Sequence, residues 1–207
     1  AKENSVVTLD GQGADEALAG YHYFFGYYFR DLLKKFSIGK LSNEAFGYFK
    51  NHNSIYALKA MAFLFLPKKL QINSQINRRG YIDTKFASQY SDSSTIQKNL
   101  YDIDSLQDSL LNHFEYKLEH LLKWEDKNSM AFSLESRVPF LDYRLVHKTL
   151  SLPASNIIKK GTTKKILRES MSGIVPEKIR TRQDKVGFES PESEWFREPL
   201  FKKFISN

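Results

Sequence analysis

The residues best suited to chemistry lie near the start of the chain, where Asp10-Gly11-Gln12-Gly13-Ala14-Asp15-Glu16 follows the short β-branched run Val6-Val7-Thr8-Leu9. Two glycines ahead of a helix amino terminus let backbone N–H groups approach an oxyanion closely, so the loop favours a nearby phosphate or carboxylate. The pattern departs from a dinucleotide fingerprint, because Asp15-Glu16 stands where a third glycine would and repels a bare pyrophosphate. A divalent cation between the two resolves the conflict. Asp15 can give one oxygen to Mg2+, which takes one or two carboxylates and completes its shell with water and phosphate. The alternative is that Asp15 caps its own helix.

Three further groups carry charge in patterns that need a reason. From Trp124-Glu125-Asp126-Lys127 to Asp142, charges interrupt an otherwise apolar region. Read as a helix reaching Val138-Pro139, this segment turns Met130 and Leu134 to the core, lets Asp126 and Ser129 share a face with Ser133, and leaves Glu135 and Arg137 projecting from its end. Those two either position a substrate or form an ion pair that holds the turn. Lys159-Lys160-Gly161-Thr162-Thr163-Lys164-Lys165 puts cations in the first turn of a helix, which is costly without an anion. Lys164 and Arg168, four apart, share a face that can grip a triphosphate, or the run is a solvated basic surface. Arg182 to Pro191 adds Arg182 and Lys185 to Gly187 and Phe188, a loop anchored by Trp195 and Phe196. The histidines show no metal-ligand pair at three- or four-residue spacing and no serine sits in a nucleophile elbow, so zinc and hydrolytic-triad chemistry are set aside.

The elements that must position these groups are mostly helices. Leu18, Tyr21, Phe25, Tyr28, Leu32 and Phe36 recur at helical spacing, and Gly39 ends that helix. Asn43 caps a second helix bearing Phe46 and Phe49, and Ser54 a third that Pro67 stops. From Lys68 to Ser94 the chain turns polar and reads as a mobile surface excursion on the substrate side. Leu106 to Leu122 is a long amphipathic helix, Leu145 to Leu150 another, and Thr162-Thr163 opens one that ends near Gly173. Val6 to Leu9 is the one strand, and a lone strand leaves its backbone unpaired, so further strands are expected upstream.

Composition bounds the rest. With 207 residues, 41% of them hydrophobic, the chain fits one domain or one large fragment of a domain. The absence of cysteine removes disulfides, zinc thiolates and cysteine nucleophiles from these residues, and a cytoplasmic setting is the simplest one. Met61 to Leu66, the most apolar run, is far short of the roughly 20 residues that span a bilayer. Ala1 to Ser5 has neither a signal-peptide pattern nor an initiator methionine, so the chain is expected to begin mid-protein. The net charge of +7 favours anionic partners. Because the cations are scattered and lack a stacking-aromatic pattern, nucleic acid is not expected, nor is a membrane.

Taken in order, Leu9 to Glu16, Asp126 to Asp142, Lys164 to Glu169, and Arg182 to Pro191 with Trp195 resemble the glutamine-hydrolysing asparagine synthetase family. Ser129-Met130-Ala131 and Leu134 to Asp142 are the most diagnostic part, and the resemblance covers nearly the whole chain. It implies that residues 1–207 are the carboxy-terminal part of a synthetase domain. The implied fold is mainly α, the helix-rich later part of a parallel α/β adenine-nucleotide-binding domain of the ATP-pyrophosphatase, HUP-like type. The amino-terminal glutaminase domain and the SGGxDS pyrophosphate loop then lie outside these residues, and this part is inactive alone.

The implied reaction is a carbon–nitrogen ligation. Aspartate attacks the α-phosphorus of MgATP, giving β-aspartyl-adenylate and pyrophosphate, and ammonia released from glutamine displaces AMP. Position by position, Asp10 and Gly11 match the ATP-contacting pair, Asp15 a magnesium-binding carboxylate, and Lys164 a lysine that stabilises the adenylation transition state. Gln12, Asp126 and Glu135 join Lys164 as catalytic positions, and Gly13, Arg168 and Lys185 join the ATP and pyrophosphate contacts. The partners implied are aspartate, ATP, ammonia or glutamine and the glutaminase domain of the same protein, with a homodimer also compatible. Better-known members carry Ser-Gly-Glu-Gly where this chain has Asp10-Gly11-Gln12-Gly13, and Lys127 replaces a common arginine. Gln12 cannot act as a general base. These departures keep two other functions open: amidation of a sugar acid or antibiotic precursor, and a non-catalytic ATP-binding or assembly module.

Overall fold

The computed structural model describes residues 5–67, 103–184 and 191–205, with residues 70, 71, 74, 83, 85, 86 and 89 described individually. Val7–Leu9 forms strand β1, and it is paired. Glu135–Arg137 forms β2 parallel to it, with Val7 opposite Glu135, Thr8 opposite Ser136 and Leu9 opposite Arg137. The lone strand expected from the sequence therefore has a partner. The helix expected to reach Val138 instead stops at Ala131, because Ser133 takes a left-handed φ of 54° and turns the chain into β2. Met130, expected in the core, is consequently 58% exposed. A parallel pair needs a long crossover, and here helices supply it.

Those helices are α1 (Ala14–Ala17), α2 (Phe24–Lys34), α3 (Ile38–His52), α4 (Tyr56–Phe63) and α5 (Leu106–Asn112). A π-helical turn, His113–Lys117, joins α5 to α6 (Leu118–Ala131). Beyond β2 and a 3-10 turn at Pro139–Leu141 come α7 (Tyr143–Leu150), α8 (Ala154–Ile157), α9 (Lys165–Ser170), α10 (Glu177–Arg180), α11 (Glu192–Trp195) and α12 (Pro199–Ile205). Among the described residues the protein is helix-rich with a small parallel sheet, and no helix is long and apolar enough to cross a membrane. Most of Lys68 to Ser94 lies outside the described residues.

The core is built around α2. Phe24, Phe25, Tyr27, Tyr28, Phe29 and Leu32 are buried almost all round, each large side chain contributing roughly 2 kcal/mol by leaving water. Gly26 lets α4 approach, since a Cβ there would lie 2.9 Å from the Ala60 carbonyl carbon. At the far end, Asp31 accepts the Leu106 N–H at 2.9 Å and Arg30 donates to the Ile103 carbonyl, which ties α5 to α2.

Two helix boundaries differ from expectation. The helix expected from Leu18 onward is broken at Ala19, whose φ is 55°, so α1 has only four residues and α2 starts at Phe24. Phe36, with φ 52°, ends α2, while Gly39 sits in the first turn of α3 and Asn43 lies inside that helix without capping it. Ser54 does bond the start of α4, its Oγ accepting the Tyr56 N–H at 3.1 Å.

Candidate active-site cleft

The glycine loop hangs from the end of the sheet. The Asp10 N–H donates to the Arg137 carbonyl at 2.7 Å, the last rung beside β2. Oδ1 of Asp10 accepts the Gln12 N–H at 2.9 Å, so Asp10 folds the loop onto itself. Gly13 is buried, with φ 91°, and a Cβ there would lie 2.3 Å from Leu141 Cδ2. Gly11 is exposed and meets nothing within 4 Å, which leaves space beside its backbone for a ligand.

The break after α1 is what aims Asp15. The Gly20 N–H returns to the Asp15 carbonyl at 2.7 Å, and a side chain at Gly20 would collide with the Asp15 carboxylate, 2.0 Å from Oδ1. The Leu18 carbonyl, freed from the helix, accepts the Lys164 N–H at 3.2 Å. Lys164 is the residue before α9 and takes a left-handed φ of 55°. Its Nζ forms an ion pair with Oδ1 of Asp15, and about a quarter of each side chain is exposed. The anion that the basic run required is thus provided by Asp15. Lys165, in the first turn, faces Glu169 at 3.7 Å.

Asp15 and Lys164 line a cleft of about 270 Å³ with His22, His52, Thr163 and Arg168. Arg182, Gln183 and Asp184 close another side, where Arg182 Nε donates to Asp184 at 3.0 Å. Arg168 lies at the cleft but its guanidinium is committed elsewhere. Nε donates to the Thr163 carbonyl at 2.9 Å and Nη1 to the Arg180 carbonyl at 2.6 Å. Burial and the neighbouring Arg180 both lower its pKa.

The other expected residues gather on the sheet side of the glycine loop or stand apart. Glu125, on α6, lies against Asp10, and burial together with the Asp10 carboxylate raises its pKa. Glu135 pairs with Arg137 at 2.8 Å, both side chains more than half exposed. Asp126 is exposed and gives its carbonyl to Ser129 Oγ at 3.1 Å. Lys185 lies outside the described residues. The structure therefore joins Asp15, Lys164 and Arg168 in one cleft and places Asp10, Gln12 and Gly11 in the loop leading to it, while Asp126 and Glu135 line no part of that cleft.

Several residues of this region carried no sequence signal for it. His22 and His52 were informative only as absent metal ligands, yet their rings meet edge to face at 4.7 Å in the cleft wall. Behind α1, buried Glu16 accepts the Tyr21 hydroxyl at 2.7 Å, and Lys117 Nζ lies 4.4 Å from the centre of the Tyr21 ring. Burial and then Glu16 push the Tyr21 hydroxyl pKa well up. Among the described residues no group of three or more His, Cys, Asp or Glu side chains can hold a metal by itself.

Comparison with known proteins gives one consistent result. The family model described as asparagine synthase matches residues 1–205. Glutamine-hydrolyzing asparagine synthetase 3 of Bacillus subtilis (strain 168) is 28% identical over 186 residues, which is 88% of this chain and 26% of that protein. Asparagine synthetase 1 of the same organism is 43% identical over 75 residues, 36% of this chain and 12% of the relative. The Homo sapiens glutamine-hydrolyzing asparagine synthetase is 38% identical over 78 residues, 35% of this chain and 14% of its own length. The chain thus spans about a quarter or less of the curated relatives it matches. No solved structure matches it at a significant level.

Proposed function

The chain belongs to the asparagine synthase family, and from that premise we propose that it is the later part of a synthetase domain that makes asparagine from aspartate, ATP and ammonia. In this reading the fold completes a HUP-like, ATP-pyrophosphatase-type parallel sheet, and a glutaminase domain of the same protein releases the ammonia from glutamine. The observation that carries it is the Lys164–Asp15 pair facing an open cleft beside a glycine loop.

The chemistry asks for positioning and charge stabilisation. A β-carboxylate oxygen of aspartate bonds to the α-phosphorus of ATP as the α–β phosphoanhydride bond breaks and pyrophosphate leaves. Ammonia then bonds to the activated acyl carbon, the acyl–phosphate bond breaks, AMP leaves, and a proton is lost from nitrogen. Gly11 leaves its backbone open to phosphate oxygens, and Lys164 holds a cation where negative charge grows on the leaving pyrophosphate. Asp15 would offer a carboxylate oxygen in this cleft to a Mg2+ completed by phosphate and water, and the ion would neutralise phosphate charge there. Gln12 is a neutral amide and cannot serve as a general base, whereas Asp10, with Glu125 against it, places carboxylates on that side of the loop.

The test is asparagine and pyrophosphate formation by the full-length protein with MgATP, aspartate and either glutamine or ammonia. Lys164→Ala should lower the rate roughly 10²-fold, about 3 kcal/mol, on the scale of losing one preorganised charge-stabilising donor. ATP binding without asparagine in the wild type would instead favour another acceptor or a binding role.

A further inference from the structure

Lys164 starts α9 in a left-handed conformation, and what fixes its approach is a turn two residues earlier. Lys159 and Thr162 exchange both backbone hydrogen bonds at 3.0 Å, and between them Lys160 (φ 49°) and Gly161 (φ 71°) are both left-handed, the backbone of a tight type I′ turn. This turn is docked on one face of α3. Glu44, Gly47 and Asn51 are spaced by three and four residues, so they share that face, and His52 flanks it.

Each polar atom at the turn's tip is taken by this face. The Glu44 carboxylate, 3% exposed, accepts the Gly161 N–H at 3.4 Å and also the Lys160 N–H. Asn51 Nδ2 donates to the Lys160 carbonyl at 2.9 Å and reaches Thr162 Oγ1 at 3.3 Å. His52 Nε2 donates to the Gly161 carbonyl at 2.9 Å. The two backbones touch because both contact residues are glycines. A Cβ on Gly47 would lie 2.6 Å from the Lys160 carbonyl carbon, and one on Gly161 2.3 Å from the Tyr48 nitrogen.

None of these α3 bonds reaches Lys164 itself. Fixing the tip at Lys160–Gly161 sets where the chain leaves for Thr163 and Lys164, whose N–H is then held by the Leu18 carbonyl and whose Nζ is held by Asp15. We propose that Glu44 and Asn51 are positioning residues, which act through the 159–162 turn to hold Lys164 in the cleft. The inference rests on the role proposed above for Lys164.

The test uses the full-length protein carrying Asn51→Ala, Glu44→Gln, Lys164→Ala and the two double variants with Lys164→Ala. Pyrophosphate release, the KM for aspartate and thermal stability are measured for each. Asn51→Ala and Glu44→Gln should lower kcat by about tenfold or more, the scale of a small misplacement, with the KM for aspartate within about twofold. In the Lys164→Ala background neither should lower it further, because the side chain being positioned is gone. Equal losses in both backgrounds, or unchanged kcat in both single variants, overturn the proposal. Asn51 lies on the helix surface, so its variant carries the test if Glu44→Gln folds poorly.

If the wild type forms no pyrophosphate, the catalytic reading fails and the positioning is read chemically. Lys164 acetylation is then followed by mass spectrometry against Lys178. Several-fold faster labelling of Lys164 in Asn51→Ala, with Lys178 unchanged, supports the proposal, and equal rates overturn it.

Discussion

Gly11 and Gly13 share a loop but answer to different constraints, and substitution separates them. Gly13 is left-handed, and the nearest atom to a Cβ there is the flexible end of Leu141, so Gly13→Ala carries mainly the backbone penalty and should cost about 1 to 2 kcal/mol in denaturant unfolding. Gly11→Ala meets empty space and should stay within about 1 kcal/mol of wild type, while raising the KM for ATP. The sequence marked both as glycines near an anion, and only the folded backbone distinguishes them. His113 is a second residue-scale case. Its Nδ1–H donates to the Ser109 carbonyl at 2.7 Å, and burial, with the Lys117 charge, depresses its pKa from 6.5 to about 4. Between pH 6.5 and about 4 the unfolded chain binds a proton that the folded chain refuses, so stability is full above 6.5 and falls on acidification across that window. The loss should be of order 3 kcal/mol, and His113→Phe should flatten that limb of the stability curve in pH-dependent thermal melts.

Among the elements, α9 and α10 are joined by their arginines. Arg168 donates to the Arg180 carbonyl and Arg180 Nη1 to the Arg168 carbonyl at 3.1 Å, while Glu177 holds the other side of Arg180. Lysine cannot reproduce the forked contacts of Arg168. Arg168→Lys should therefore lose about 1 to 3 kcal/mol of stability in urea unfolding, with the KM for ATP close to wild type. A large rise in that KM with stability intact would return Arg168 to the phosphate-gripping role that its spacing from Lys164 suggested. Spacing made the helices legible: the apolar residues of α2, α5 and α7 follow it, and Ser54 and Pro67 bracket α4. It did not make the breaks legible. Ala19, Phe36 and Ser133 are left-handed without being glycine, each closing a helix end with local bonds such as the Ser37 N–H to the Leu32 carbonyl, while Lys164 is held by the Leu18 carbonyl of a remote element. Strand β2 is only Glu-Ser-Arg and shows itself through its pairing with β1. The contact of Glu44 with Gly161 joins α3 to a remote turn, and no local pattern records it.

At the scale of the whole molecule, the sheet is the feature least satisfied by its surroundings. Parallel strands are ordinarily buried on both faces and within sheets of several strands. Here, among the described residues, two parallel strands stand with Val6 66%, Leu9 76%, Trp124 62% and Phe132 68% exposed around them. Large apolar side chains gathered beside an open strand edge mark a surface that other chain normally covers. On the function proposed above, that surface is internal to a longer synthetase, of whose curated relatives this chain spans about a quarter or less. Residues 1–207 expressed alone should therefore self-associate in light scattering as concentration rises, and should make no asparagine from ammonia, aspartate and MgATP. Leu9→Lys should reduce the association, since a charge on an edge strand discourages pairing with another copy. A polypeptide that stays monodisperse and makes asparagine with ammonia would show that the cleft of Asp15 and Lys164 needs no further chain to complete it, and that the exposed sheet is a surface of the working protein.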